Sequence, residues 1–303
     1  MRNSKRFVKS KLVLKVFFLF ALICTVLPHQ ASFAASDYKS ISFYLQAHPD
    51  DWQLFRGDYA YNDLHASQTK VVFIYTTAGD AGSVKGWWEA RERGAVASIR
   101  KALKPTPLTI DIAQFNDHPI VRYTSGNSVS YFLRVPDGMD GSGSKEYNNE
   151  SLSKLRDSNK SITAVDKSTT YTSWSDFTST LKEIMDYETN AVGAKHPWVN
   201  VADNDSKYNP GDHMDHKATS DAISTFAKGN YNRVLYVTYD VKNKKANIGG
   251  AALTNKKNLF YAYANEVYSQ TVANGDPVDQ QLFEDEWYWW GNKSYSRNIK
   301  YDQ

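Results

Sequence analysis

Cysteine is nearly absent: the 303-residue sequence contains one, Cys24. It falls in an N-terminal stretch, residues 1–34, that reads as removable. The rest of the chain therefore has no disulfide, no thiolate nucleophile and no cysteine-based metal site. Glycine (16) and proline (9) are too few for a collagen-like or low-complexity chain, and 14% aromatic residues argue against wholesale disorder. No apolar run approaching the roughly 20 residues of a bilayer span recurs after residue 27, which excludes a polytopic membrane protein. An excess of one charge is missing too. The formal net charge of +3 comes from Arg2, Lys5, Arg6, Lys9, Lys11 and Lys15, which have no acid among them within residues 1–34. The remainder holds 30 cations against 33 acids, so no basic field speaks for nucleic acid as a partner. It is long enough to bury a large core without covalent staples.

The first 34 residues have the order of a secretory signal: basic through residue 11, apolar over 12–27 apart from Lys15, then small residues around Ser32, Phe33, Ala34 and Ala35. Cleavage is expected after Ala34, which gives a signal peptide over 1–34 and one domain over 35–303. The expected location is secreted or periplasmic, with no membrane span left after cleavage. The sequence is silent on oligomeric state.

In the mature region strand-like and helix-like segments alternate. Residues 41–47 (ISFYLQA) and 71–77 (VVFIYTT) are short, β-branched and aromatic, as buried strands are. Residues 86–103 read as a helix that Pro105 and Pro107 stop. Further strands are expected at 108–115, 131–135, 199–202 and 234–239, and helices at 174–188, 213–229 and 253–272. Ser173 or Ser175 could cap the helix at 174–188. Residues 138–170, rich in Gly, Ser, Asn and Lys, read as a long surface excursion. This alternation predicts an α/β fold, Rossmann-like, with a mostly parallel sheet flanked by helices. Functional loops in such sheets follow the carboxyl ends of strands, where AHPDD, AGDAGS and VPDG stand.

Two of these loops carry chemistry. In His48-Pro49-Asp50-Asp51, two carboxylates and an imidazole follow an apolar strand, a costly group to bury without a cationic partner. One aspartate of the pair can bind a metal while the other faces a bound water. In His213-Met214-Asp215-His216, histidines three apart at a helix start share a face. Each piece alone is a common surface feature. Together they supply the two histidines and one carboxylate of a catalytic zinc site with an open position. His65, His118 and His196 have no such acidic cluster beside them.

The set AHPDD, TAGDAG and DHMDH resembles the zinc-dependent de-N-acetylases of the PIG-L or LmbE-like family, over roughly residues 41–240. The resemblance implies a hydrolase that removes the acetyl group from an N-acetylglucosamine-type sugar or glycan, by attack of a zinc-bound water. His48, Asp51 and His216 would hold the metal. Asp50 would be the general base, His213 would stabilise the oxyanion or protonate the departing amine, and Asp215 would orient that imidazole. Arg91 and Asp137 would contact sugar hydroxyls. Three positions depart from the family pattern: Trp52 stands where an acid usually completes AHPDDE, Gly94 where a glutamate is frequent, and Gly211 where some relatives have tyrosine.

Trp87 and Trp88, just after AGDAGS, are candidates for covering the apolar face of a sugar. Residues 287–290 (WYWW) form a second aromatic cluster, for which the simpler reading is docking of the chain's tail onto the sheet. An alternative function on the same fold is glycan binding without catalysis, but a pure binder has no need of both Asp50 and His213. A metal phosphoesterase would want a richer acid cluster for two ions.

Overall fold

The computed structural model describes residues 38–303, Lys104 excepted. The expected signal segment, with Cys24 and His29, lies outside the described residues. Strand β1 (Ser40–Gln46) leads through α1 (Asp51–Phe55) and α2 (Gly57–His65) to β2 (Thr69–Thr77). Helix α3 (Trp87–Ala102) precedes an antiparallel run of β3 (Leu108–Phe115), β4 (His118–Ser125) and β5 (Ser128–Val135). Then come α4 (Leu152–Ser158), the short strands β6 (Ile162–Thr163) and β7 (Thr170–Tyr171), and α5 (Trp174–Val192). The chain ends with β8 (Trp198–Ala202), α6 (Met214–Ser224), β9 (Asn232–Tyr236), α7 (Gly250–Ala273), α8 (Gln281–Trp290) and β10 (Ser296–Ile299).

Eight strands form one sheet in the order β10-β9-β8-β1-β2-β5-β4-β3. The five central strands, β9 to β5, run parallel, while β10, β4 and β3 are antiparallel additions at the two edges. The expected α/β fold with a mostly parallel sheet is what the chain forms. Side chains alternate across the sheet, and both faces are covered. Phe43 and Leu45 of β1 pack on one side with Leu181 and Ile184 of α5 and with Ala222 and Ile223 of α6. Tyr44, Phe73 and Tyr75 pack on the other with Leu64 of α2 and with Val96 and Ile99 of α3. From β1 the chain proceeds to β2 on one side, while β8 lies on the other. The topological switch point, where an α/β sheet opens a crevice beyond its carboxyl ends, therefore lies between β1 and β8.

Three local expectations need correction. Strand β4 was not anticipated, although Asn116 and Asp117, at φ 48° and 63°, make the two-residue turn that folds it back on β3 in the register Phe115 opposite His118. The 138–170 stretch is more than a surface excursion: Ser151 caps α4, and Leu152, Leu155 and Ile162 are buried in the core. Strand β9 ends at Tyr236 rather than at 239, because Thr238 leaves the sheet to hydrogen-bond Asn209 and Asp212. Ser173 is the cap of α5, its side chain accepting from the Asp176 N–H.

Candidate metal centre and catalytic site

The loops after β1, β2, β5 and β8 converge at the switch point. Asp50 is the N-cap residue of α1 and Asp51 its first residue. The His48 N–H donates to Asp51 Oδ2 at 2.8 Å, which turns Oδ1 toward the crevice. His213 is the N-cap residue of α6, one turn before His216. Asp137 follows β5, and its own N–H donates to Asp80 Oδ1 at 2.6 Å in the loop after β2. A separation of 168 residues between His48 and His216 thus closes to a ring contact.

Three donor atoms meet there: His48 Nδ1 lies 3.1 Å from His216 Nε2 and 3.5 Å from Asp51 Oδ1, and His216 Nε2 lies 2.9 Å from Asp51 Oδ1. A tetrahedral zinc with bonds near 2.0–2.1 Å would space its ligands by about 3.3 Å. The three separations scatter around that edge length. The outer ring nitrogens also face the partners that a metal-bound imidazole requires. His216 Nδ1 lies 2.6 Å from Asp212 Oδ1, and Asp212 is itself held by Asn209 and by the Thr238 hydroxyl. His48 Nε2 is buried without a hydrogen-bond partner, 3.6 Å from Asp215 and 3.7 Å from Asp137. Two imidazole nitrogens and a carboxylate oxygen that converge on one point form a cluster that suits a positive charge. The titration behaviour agrees. Burial pulls the His48 imidazole down, but Asp51, Asp215 and Asp137 outweigh it and the net shift is upward. Burial lowers His216 as well, yet Asp212 and Asp51 bring it up to about 10. Asp51, raised by burial, is carried well below the usual carboxylate range by His216 and His48. The residues present fit a divalent ion bound by His48, Asp51 and His216.

Asp50 stands beside this cluster in a different bonding state. Its Oδ1 accepts from Arg91 Nη2 at 2.5 Å. Arg91 is in turn fixed by Nη1 to the Gly79 carbonyl at 2.7 Å and by Nε to the Tyr263 hydroxyl at 2.8 Å. Adjacent aspartates have therefore separated: Asp51 faces the imidazoles and Asp50 faces a guanidinium. Three donors of Arg91, expected at sugar hydroxyls, are already in use inside the protein.

His213 completes the crevice. Its Nδ1 accepts the Asp215 main-chain N–H at 3.2 Å, which leaves the ring proton on Nε2. Burial and then the neighbouring His48 push its pKa down to about 4, so the ring is neutral near pH 7. A neutral imidazole with Nε2–H is a hydrogen-bond donor. The carboxylate of Asp215 is 3.8 Å from Nδ1 and accepts instead from the Gly138 N–H at 2.8 Å, so the main chain of Asp215 is what bonds the ring. Asp137 Oδ1 is 3.8 Å from His213 Nε2 and accepts from the Met139 N–H at 2.8 Å.

The three departures from the family pattern have local causes or consequences. Trp52 points away from the crevice, fully buried, with its indole N–H on the Tyr75 hydroxyl at 2.9 Å and its ring against Phe73. Gly94 lies where α3 meets α7: a Cβ there would come within 2.7 Å of the Tyr263 ring and 2.8 Å of Val267. Gly211 has φ 66°, the left-handed conformation that glycine adopts freely, in the loop before His213.

The two tryptophans of α3 diverge. Trp88 lies against Arg134, whose guanidinium carbon is 4.9 Å from the ring centroid and which pairs with Glu92 and Asp166. Trp87 has Arg91 5.9 Å from its ring centroid. Helix α8 brings Trp290, from the terminal aromatic cluster, and Glu286, which the sequence did not single out. Trp290 stacks on Tyr239 at 5.0 Å, and Tyr239 meets the His216 ring edge-on at 5.3 Å. Burial, followed by the charge of Asp50, pushes the Glu286 carboxyl up to about 8 against the opposing pull of Arg91. Trp287 packs on Phe260, whereas Tyr288 and Trp289 are exposed, so half of the terminal aromatic cluster docks the tail and half does not. Asp212 had a signal in the sequence, an acid four residues before His216. Glu286 had none.

No protein-family model and no curated protein matches the chain. Solved structures do. A deacetylase complex from the teicoplanin biosynthesis pathway is similar at 13% identity over 86% of this chain and 96% of that one, with a TM-score of 0.46. The zinc-inhibited form of teicoplanin deacetylase is similar at 14% identity over 86% and 96%, with a TM-score of 0.44. N,N'-diacetylchitobiose deacetylase from Pyrococcus horikoshii is similar at 13% identity over 86% and 84%, with a TM-score of 0.41.

Proposed function

We propose that the protein is a metal-dependent N-deacetylase acting on an N-acetylated amino sugar, with one divalent ion, zinc by the character of its donors, held by His48, Asp51 and His216. The observation that carries this reading is the convergence of three donor atoms at tetrahedral spacing beside an Asp50–Arg91 ion pair. When bound, zinc supplies Lewis acidity, polarising a carbonyl oxygen and lowering the pKa of water to about 7.

The chain's own groups do the rest. Asp50 is the general base: Arg91 fixes one carboxylate oxygen and thereby aims the other, which takes a proton from the attacking water. An amide nitrogen leaves only when protonated, and Asp50 is the group that then holds a proton to give. His213, a neutral donor through Nε2–H, stabilises the negative oxygen that develops on the acetyl carbon. Asp215 keeps that ring in place through its main chain and faces His48 Nε2 with its carboxylate. Asp137 and the uncommitted donors of Arg91 are the contacts for sugar hydroxyls, and Trp87 supplies a flat apolar face. Export belongs to the same reading: the mature protein starts near Ala35 and works outside the cytoplasm.

The test is release of free amine from a panel of N-acetylated saccharides, with and without chelator. The reading expects turnover that a chelator abolishes and added zinc restores. Binding of saccharides with no amine released under any metal would overturn it in favour of a non-catalytic glycan binder.

A further inference from the structure

We propose that a cleft beside the catalytic crevice is a second saccharide subsite, which makes the substrate an oligosaccharide of N-acetylated amino sugars rather than a single sugar unit. This rests on the deacetylase reading and extends it to the substrate's length. The cleft measures about 300 Å³ and lies between the loop after β2, the start of α3 and the α7–α8 linker. Ser83, Lys85, Trp87, Asp276, Val278 and Leu282 line it.

Its chemistry selects the ligand class. Trp87 is partly buried but contributes to the wall of the cleft, and Leu282 (41% exposed) and Val278 add apolar surface. Lys85 and Asp276 stand 3.5 Å apart at the rim, with side chains 70% and 54% exposed. A surface pair of that kind is worth less than about 1 kcal/mol, so its ends are free to turn to a ligand. The combination suits a pyranose, which has an apolar C–H face for the ring and hydroxyls for a donor and an acceptor. Asp276 opposes an anion and Lys85 opposes a cation, so a neutral polyhydroxylated ligand is favoured. The volume is at the lower end of ligand clefts, which run from about 300 to 1,000 Å³. That suits one sugar ring and is too small for a folded partner.

Its position selects the role. The loop that forms one wall of the cleft also builds the catalytic crevice. Gly79 holds Arg91, and Asp80 accepts from Asp137 and from Gly82, while Ala81 and Ser83 of the same loop line the cleft. The Arg91 guanidinium, which binds Asp50 directly, lies 5.9 Å from the centroid of the Trp87 ring. Trp87, a wall of the cleft, is thus linked through one guanidinium to the proposed base. In this proposal the acetamide of one sugar sits at Asp50 and the next sugar of the chain takes the cleft at Trp87. Trp88 is not among the residues that line the cleft, and its ring lies against Arg134.

The experiment uses the full mature chain with N-acetylglucosamine and tri-N-acetylchitotriose as probes. Turnover gives kcat/KM for each, and calorimetry on metal-loaded Asp50→Asn gives the dissociation constant of the trimer without hydrolysis. The expected result is a trimer-to-monomer ratio of kcat/KM of tenfold or more, which Trp87→Ala lowers about tenfold. Leu282→Arg, a change at an exposed position that narrows the cleft, should lower the same ratio and guards against a folding defect in the tryptophan variant. Added to the Asp50→Asn background, both changes should weaken trimer binding by a similar factor. Trimer binding that depends on Trp87 in a protein that releases no amine would uphold the subsite and sink the deacetylase reading. A ratio near one, or trimer affinity unchanged in both variants, would overturn the subsite while leaving deacetylation intact.

Discussion

Gly94→Ala tests how the proposed base is held in place. The added methyl would sit 2.7 Å and 3.0 Å from two carbons of the Tyr263 ring and 2.8 Å from Val267. Ordinary contact begins near 3.4 Å, so α7 must give by several tenths of an ångström. Two effects compete. Alanine improves the helix by about 1 kcal/mol over glycine. Overpacking a tight helix–helix contact costs about 1–3 kcal/mol. The contact should win, for a net loss of roughly 0–2 kcal/mol in urea unfolding. The second consequence concerns chemistry. The Tyr263 hydroxyl is the partner of Arg91 Nε, and Arg91 is the partner of Asp50, so a displaced ring loosens the guanidinium that aims the base. A misplacement well under 1 Å should lower kcat by about tenfold while metal content stays at the wild-type level. Unfolding midpoints, kcat on tri-N-acetylchitotriose and metal content are measured on the same preparation. A variant stabilised by the full helix-propensity gain, with unchanged kcat, would refute the argument, because the α3–α7 contact would then have slack.

Three further outcomes follow from named groups. Asp50→Asn should keep its metal and lose turnover by about two to four orders of magnitude, measured as amine release alongside metal analysis. His213→Ala should also keep the metal and should lose about a hundredfold or more in kcat, as expected for removal of an oxyanion donor. Lys256 is fully buried on α7, with its ammonium on the Lys293 carbonyl, and burial lowers its pKa from 10.5 to about 7. Between those values the unfolded chain binds a proton that the folded chain does not, so this group makes stability rise with pH from about 7 to 10.5. Below pH 7 the folded state carries the whole cost, on the order of 4–5 kcal/mol at 1.36 kcal/mol per pKa unit. Lys256→Met should therefore be more stable than wild type at pH 6.5 by urea unfolding, with the advantage shrinking by pH 10. An advantage independent of pH would count against a neutral buried lysine.

Much of the fold was legible because buried parallel strands announce themselves. ISFYLQA and VVFIYTT have no polar alternation, since both faces of β1 and β2 are covered. The antiparallel edge was harder to read. HPIVRYTS mixes polar and apolar residues, as a strand on the outer part of a sheet does, so β4 went unread although the Asn116–Asp117 turn precedes it. In the site, the residues proposed to hold the metal were readable because they sit in two short motifs at element starts. What holds them was not. Tyr263 reaches Arg91 from 172 positions away, and the charge of Asp50 acts on Glu286 of α8, separations in sequence that only packing closes. The division of labour between Asp50 and Asp51 depends on the turn into α1, which sends one carboxylate to a guanidinium and the other to two imidazoles. Trp52 is explained by packing alone: it fills the core against Phe73 and Tyr75.

Zinc stoichiometry across two neighbouring substitutions tests the central claim most directly. Purified wild type should hold one equivalent of zinc, and Asp50→Asn should hold the same. Asp51→Ala should bind it at least a hundredfold more weakly by calorimetry, because a ligand oxygen placed 2.9 Å from His216 Nε2 is gone. His216→Ala should lose the metal as well. A wild-type protein that takes up no zinc at stoichiometric concentration would contradict the account, as would an Asp51→Ala protein that keeps its zinc while Asp50→Asn releases it.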